Sequence, residues 1–162
     1  MPATKTEKHT DCEQQLAADE LGAWRGFLRV HSALSRELDA ELVAEHGLSL
    51  SSYEVLLFLA GAPEGRLRMA ELADSVLLSR SGLTRLADRL ERDGLLRRER
   101  CPSDLRGAHA VITEAGRERF DAARSTHLAG VRERFLDKLS DAEMKMLAST
   151  WERLRPGAVE PL

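Results

Sequence analysis

The chain has 162 residues, 43% of them hydrophobic and 31% charged, with a net charge of −3. That is enough for one domain with a real core, and the composition excludes a disordered chain. No apolar run approaches the roughly 18 residues of a membrane span, and the polar start MPATKTEKHTDCEQQ lacks the apolar centre of a secretory signal, so a cytoplasmic protein with no membrane partner is expected.

The net charge conceals an asymmetry. Between Arg66 and Arg106 stand ten arginines against seven acids, a local excess of +3 that leaves −6 for the rest of the chain. A basic middle between acidic ends orients a protein on a polyanion. The two cysteines, Cys12 and Cys101, make neither a disulfide framework nor a metal spacing, which fits a reducing compartment.

Residues 1–16 are expected to be a flexible tail. From Ala17 to His46 the pattern is helical: Leu21, Trp24, Leu28, His31, Leu34, Leu38 and Leu42 recur at spacings of three and four, and Gly47 supplies the stop. Such a helix is about 45 Å long at 1.5 Å per residue, so its apolar stripe outruns a small globule and calls for a partner. Ser51-Ser52-Tyr53-Glu54 predicts a capping box and a second helix to about Ala60, ended by GAPEG. Met69–Val76 predicts a short helix with Met69, Leu72, Ala73 and Val76 inward. After a turn at Leu77-Leu78, Ser79 caps RSGLTRLADRLERD, which ends at Gly94.

Beyond Gly94 the period changes to two. Leu96, Arg98 and Arg100 alternate with Leu95, Arg97 and Glu99, and Ala108, Ala110 and Ile112 follow the turn formers of CPSDLRG. This predicts a β-hairpin with residues Cys101–Gly107 at its tip. Thr113 caps a long helix carrying Phe120, Ala123, His127, Val131 and Phe135 on one stripe. Ser140-Asp141-Ala142-Glu143 opens a last helix with Met144, Leu147, Trp151 and Leu154, stopped by Pro156.

Helix, turn, helix and hairpin in succession make a winged helix-turn-helix. In the Ser79 helix, Leu83, Leu86, Ala87 and Leu90 form the buried face, and Ser81, Thr84, Arg85 and Asp88 fall on another. Small hydroxyls near a helix start can take phosphates, and an arginine one turn on can read guanine with two bonds. A polar face with one arginine, taken alone, also describes ordinary solvated surface. The succession of Ala73, Ser79, DGLL and a loop with Asp104 and Arg106 is what makes DNA the better reading. The expected DNA contacts are Ser79, Arg80, Ser81, Thr84, Arg85 and Arg89 on the helix, Arg98 in the hairpin, and Asp104 with Arg106 at its tip. There Arg106 would enter a narrow minor groove, oriented by Asp104.

From about Trp24 to Leu154 the chain resembles the multiple-antibiotic-resistance regulator (MarR) family of bacterial transcription factors. LADSVLLSRSGLTRLADRLERDGLLRRE and SDLRGAHAVITEAG carry the likeness, with Asp104 and Arg106 matching the family's Asp-x-Arg. The expected fold is mainly α with a small β-hairpin wing, a winged helix-turn-helix at 51–113 between long dimerisation helices at 17–46 and 114–155, all one domain over 17–155. The resemblance implies a homodimer on a pseudo-palindromic double-stranded operator, and the terminal apolar stripes independently ask for a partner. It also implies a ligand-responsive repressor taking a small aromatic or phenolic effector. Trp24, Phe27 and His31 share one helix face and Tyr53 starts the next helix, which makes them the candidate effector residues. The alternative is that His31 is a core histidine and Trp24 packs a dimer.

A second form of regulator senses redox state, as some relatives do with a cysteine. Cys101 stands among Arg97, Arg98 and Arg100, which favour a thiolate, and Cys12 lies in the tail. An enzyme is not expected. The histidines at 9, 31, 46, 109 and 127 are scattered, and HExxH, GxSxG, a phosphate-binding glycine loop and CxxC are all missing from the sequence. No cofactor is expected. A protein-interaction module with a basic face is the remaining class, separated from a regulator by specific, salt-dependent binding to duplex DNA.

Overall fold

A computed structural model describes residues 16–76, 78–101 and 104–159, and for Cys101 and Asp104–Arg106 it describes the backbone alone. Residues 1–15 of the expected tail, Cys12 among them, and Leu77 lie outside the described residues. The helices are α1 (Ala18–His46), α2 (Leu50–Gly61), α3 (Met69–Ser75), α4 (Arg80–Arg92), α5 (Glu114–Arg134) and α6 (Asp141–Leu154). The strands are β1 (Arg66–Arg68), β2 (Leu96–Cys101) and β3 (Asp104–Ile112), and short 3-10 turns occupy Pro63–Gly65 and Leu136–Lys138. The architecture is mainly helical with a small antiparallel sheet in the order β1-β3-β2.

The chain divides into two compact units within α1, one up to Ala33 and one from Leu34 onward. In the first, Trp24, Phe27, Leu28 and Val30 are all exposed. The second has a continuous core in which Leu42, Tyr53, Val55, Leu56, Leu59, Leu72, Leu83, Leu90, Leu96 and Phe120 are fully or nearly fully buried. The three- and four-residue spacings of α2, α4 and α5 put these side chains on inward faces, and the period of two does the same for Leu96, Ala110 and Ile112.

Three of the four expected helix starts are made as the sequence indicates. Ser79 Oγ accepts from the Gly82 N–H (3.1 Å), Thr113 Oγ1 from the Gly116 N–H (3.0 Å), and Ser140 with Glu143 forms the reciprocal box. The fourth is two residues earlier than the Ser51–Glu54 signature indicates. Ser49 is the cap of α2, accepting from the Ser52 N–H (3.2 Å), and Ser51 lies in the first turn. A carboxylate from a distant part of the chain decides it: Asp39 Oδ1 takes the Leu50 N–H at 2.8 Å, so the helix can begin there.

The sheet departs from the expected hairpin in two ways. β1 is a third strand, paired antiparallel with β3 through Arg66↔Val111, Leu67↔Ala110 and Arg68↔His109. Three residues of alternation are too short a signal to separate from a loop in sequence. The strands also run into the stretch expected as the tip: β2 continues to Cys101 and β3 starts at Asp104, with Cys101 opposite Asp104. A register shift between Arg100 and Cys101 accommodates the extra residues of β3, so the turn formers Asp104 and Gly107 sit in a strand next to a bulge.

Candidate nucleic-acid interface

α3 and α4 form the helix-turn-helix. Leu72 and Ala73 of α3 and Val76 just after it are buried; the Leu78 N–H returns to the Ala73 carbonyl (3.1 Å), closing the turn into α4. α4 is strongly two-sided. Leu83, Leu86, Ala87 and Leu90 are no more than 3% exposed, whereas Ser79, Arg80, Ser81, Thr84, Arg85 and Arg89 are exposed.

The exposed side chains are arranged toward the N-terminal end of α4. Ser79 and Ser81 hydroxyls are 3.2 Å apart. The Thr84 hydroxyl donates to the Arg80 carbonyl (2.8 Å), leaving its oxygen open as an acceptor. Arg85 Nε leans back to the Ser81 carbonyl at 3.4 Å, a weak bond that directs the guanidinium along the helix while most of its donors remain open. Among the described residues, Arg80 and Arg85 make no ion pair, in contrast to the hairpin arginines (Arg97 to Glu99, 2.9 Å; Arg98 to Asp88, 2.7 Å). Hydroxyls, cations and a helix start on one solvent face can hold a phosphate backbone and a base edge.

Arg89, one turn further, borders a cleft of about 470 Å3 together with Arg119, Ser49, Leu90 and Asp93. Arg98, also expected at the DNA, is paired within the fold: Nε donates to Glu91 Oε2 (2.8 Å) and Nη1 reaches Asp88 Oδ1 (2.7 Å). These bonds hold the Glu91 carboxyl below, and the Arg98 guanidinium above, their ordinary ranges. Asp104 and Arg106 lie on the β3 backbone, and their side chains, like that of Cys101, lie outside the described residues.

The candidate effector residues fall into two groups. Trp24, Phe27 and His31 form an exposed line on α1, with ring centroids 6.2 and 6.1 Å apart in succession. Tyr53 is 2% exposed, and its ring packs on Phe120 (5.3 Å) and His127 (4.4 Å). Burial raises the Tyr53 phenol above its usual pKa.

A sequence model of the MarR family matches residues 46–107, the span from the end of α1 into β3. The transcriptional repressor YetL of Bacillus subtilis is 32% identical over 150 residues, covering 91% of this chain and 89% of its own. The chain belongs to the MarR family. Solved MarR-family regulators superpose closely. AbsC of Streptomyces coelicolor is 35% identical with a TM-score of 0.81, covering 87% of this chain and 95% of its own. Sco3205 from the same organism, solved in complex with DNA, is 35% identical with a TM-score of 0.82, covering 91% and 94%. As a MarR-family member the chain is a DNA-binding transcriptional regulator, with α4 as the second helix of its helix-turn-helix and β2–β3 as its wing.

Sequence reasoning missed Asp88 and Glu91 as partners of Arg98. The signal was present: Glu91 and Arg98 flank DGLL, and Gly94 has the positive φ (72°) that turns the chain back on itself. Their spacing of seven residues has no periodic meaning until that turn is known. Among the described residues, no helix is long and apolar enough to cross a membrane.

Proposed function

We propose that this MarR-family chain is a repressor that binds a pseudo-palindromic operator as a homodimer and releases it when a small aromatic or phenolic effector binds. The observation that carries the reading is the two-sidedness of α4, with a closed apolar face and an open face of Ser79, Arg80, Ser81, Thr84 and Arg85. On this reading Ser81 and Thr84 position the helix on phosphates and Arg85 reads a base edge. Arg106 enters the minor groove from the wing, oriented by Asp104. The repressor activity of YetL and the DNA complex of Sco3205 support the same direction.

Exposed Trp24, Phe27, Leu28, Leu128, Met146 and Leu154 support self-association. The Trp24–Phe27–His31 line and Tyr53 are the proposed effector residues. Selection of genomic fragments by the purified protein tests the function: one or a few fragments sharing an inverted repeat should be enriched, and binding should weaken steeply with salt. Enrichment without shared sequence, or binding no tighter than to scrambled duplex, would overturn it.

A further inference from the structure

Arg98 stands where the hairpin leaves the core. Leu95 and Leu96 before it are buried, and Arg97 and Arg100 on either side of it are exposed. At this point four donor groups of Arg98 reach α4. The Arg98 backbone N–H donates to Glu91 Oε1 (2.8 Å), Nε and Nη2 both donate to Glu91 Oε2, the former at 2.8 Å, and Nη1 meets Asp88 Oδ1 (2.7 Å). One arginine thus ties main chain and side chain of the wing to adjacent turns of the recognition helix.

The three side chains are 33%, 34% and 46% exposed for Arg98, Glu91 and Asp88. Ion pairs this open contribute little to folding. What they supply is direction, because a guanidinium fork bonded to fixed carboxylates tolerates few orientations. A helix and a wing that enter neighbouring grooves bind best when their mutual angle is set beforehand, since ordering them on contact costs affinity.

We propose that Arg98 is a positioning residue: through Glu91 and Asp88 it sets the angle between the wing and the recognition helix, and it makes no phosphate contact of its own. The proposal rests on the DNA-binding reading above. It differs in sign from simple electrostatics. Glu91→Gln removes a negative charge from a surface that meets a polyanion, so charge alone would tighten binding. A weakened clamp loosens it instead. Arg98→Lys keeps the charge, so a phosphate contact would survive, but a lysine ammonium cannot reproduce the planar fork.

The test titrates wild type, Glu91→Gln and Arg98→Lys with two duplexes, the fragment recovered by selection with the wild type and a scrambled duplex of equal length and composition. Each variant should bind the recovered fragment about tenfold more weakly, the order expected for losing a charged hydrogen bond. Affinity for the scrambled duplex, which is set by net charge, should stay within about twofold of wild type for Arg98→Lys and be equal or tighter for Glu91→Gln. A variant that had merely lost its fold would lose both affinities and its thermal transition. Glu91→Gln binding the recovered fragment as tightly as wild type, or more tightly, overturns the proposal, and so does Arg98→Lys matching wild type. Failure of the wild type to recover any fragment overturns the DNA reading itself, and the clamp's role with it.

Discussion

The Tyr53 ring of α2 lies with its centroid 4.4 Å from that of His127 on α5, the planes 35° apart. His127 Nδ1 is buried with no hydrogen-bond partner among the described residues, and burial pushes the imidazole below its ordinary pKa. Arg124 partly offsets the effect of burial on the Tyr53 phenol. The pair joins α2 to α5, and burial there disfavours a proton on His127.

The consequence for stability has a definite sign. An imidazole with a lowered folded pKa binds fewer protons folded than unfolded, so stability rises with pH across the interval between the two values. It is complete above the unfolded value of about 6.5 and falls as pH drops below it toward the folded one. Between pH 7.5 and 5.5 the wild type should lose stability in denaturant titrations, and His127→Leu should lose distinctly less. The window stays above the range in which Glu91, lowered by Arg98, titrates. Equal pH slopes for the two proteins would remove His127 from the account.

Gly116, in the first turn of α5, should not tolerate alanine. A Cβ there would collide with the Leu95 carbonyl oxygen and Ile112 Cγ1. The carbonyl cannot retreat freely, since it accepts the Thr113 N–H at 3.1 Å. Overpacking of this kind costs about 1–3 kcal/mol, visible as a lower urea midpoint at unchanged slope. Gly26→Ala is the control: nothing lies within 4 Å of its added carbon, so the variant should gain up to about 1 kcal/mol of helix stability. Equal midpoints for Gly116→Ala and wild type would show that the α5 start can shift.

Arg85 should carry discrimination between bases. Its only bond among the described residues is the long one to the Ser81 carbonyl, so Arg85→Ala should leave stability within about 0.5 kcal/mol. Operator binding should weaken by about 1–3 kcal/mol, with preference relaxed at one base pair in each half-site. A uniform loss across all operator variants would make Arg85 a phosphate contact.

The helices and the apolar face of α4 were legible because periodicity and local caps are properties of neighbouring residues. Ser79, Thr113 and Ser140 each cap with an N–H three positions on. Features set by distant residues were not legible in this way. Asp39 moves the start of α2 to Leu50, β1 exists only because β3 pairs with it, and Gly116 is needed only because Leu95 lies across from it. The candidate interface divides along the same line. The open face of α4 follows from helical spacing, whereas the commitment of Arg98 to Asp88 and Glu91 depends on a fold-back at Gly94.

Self-association through the terminal helices is the remaining prediction. Met146 is 61%, Leu154 70% and Leu128 52% exposed, and α6 has no buried residue among those described. Covering one such side chain contributes about 1.5–3 kcal/mol, so several together are enough to hold two chains at micromolar concentration. The full chain should sediment at twice its 18.0 kDa mass. Removing residues after Ser140, which deletes Met144, Leu147, Trp151 and Leu154, should shift it toward monomer and weaken operator binding. Because a truncation can also disturb folding, Met146→Glu with Leu154→Glu is the cleaner variant: both positions face solvent, so a monomer tolerates the charges while an apolar interface does not. The thermal transition of this double variant should remain cooperative while its mass halves. If the double variant stayed dimeric and bound operator as wild type does, α6 would lie outside the interface and the self-association assigned to it would be wrong.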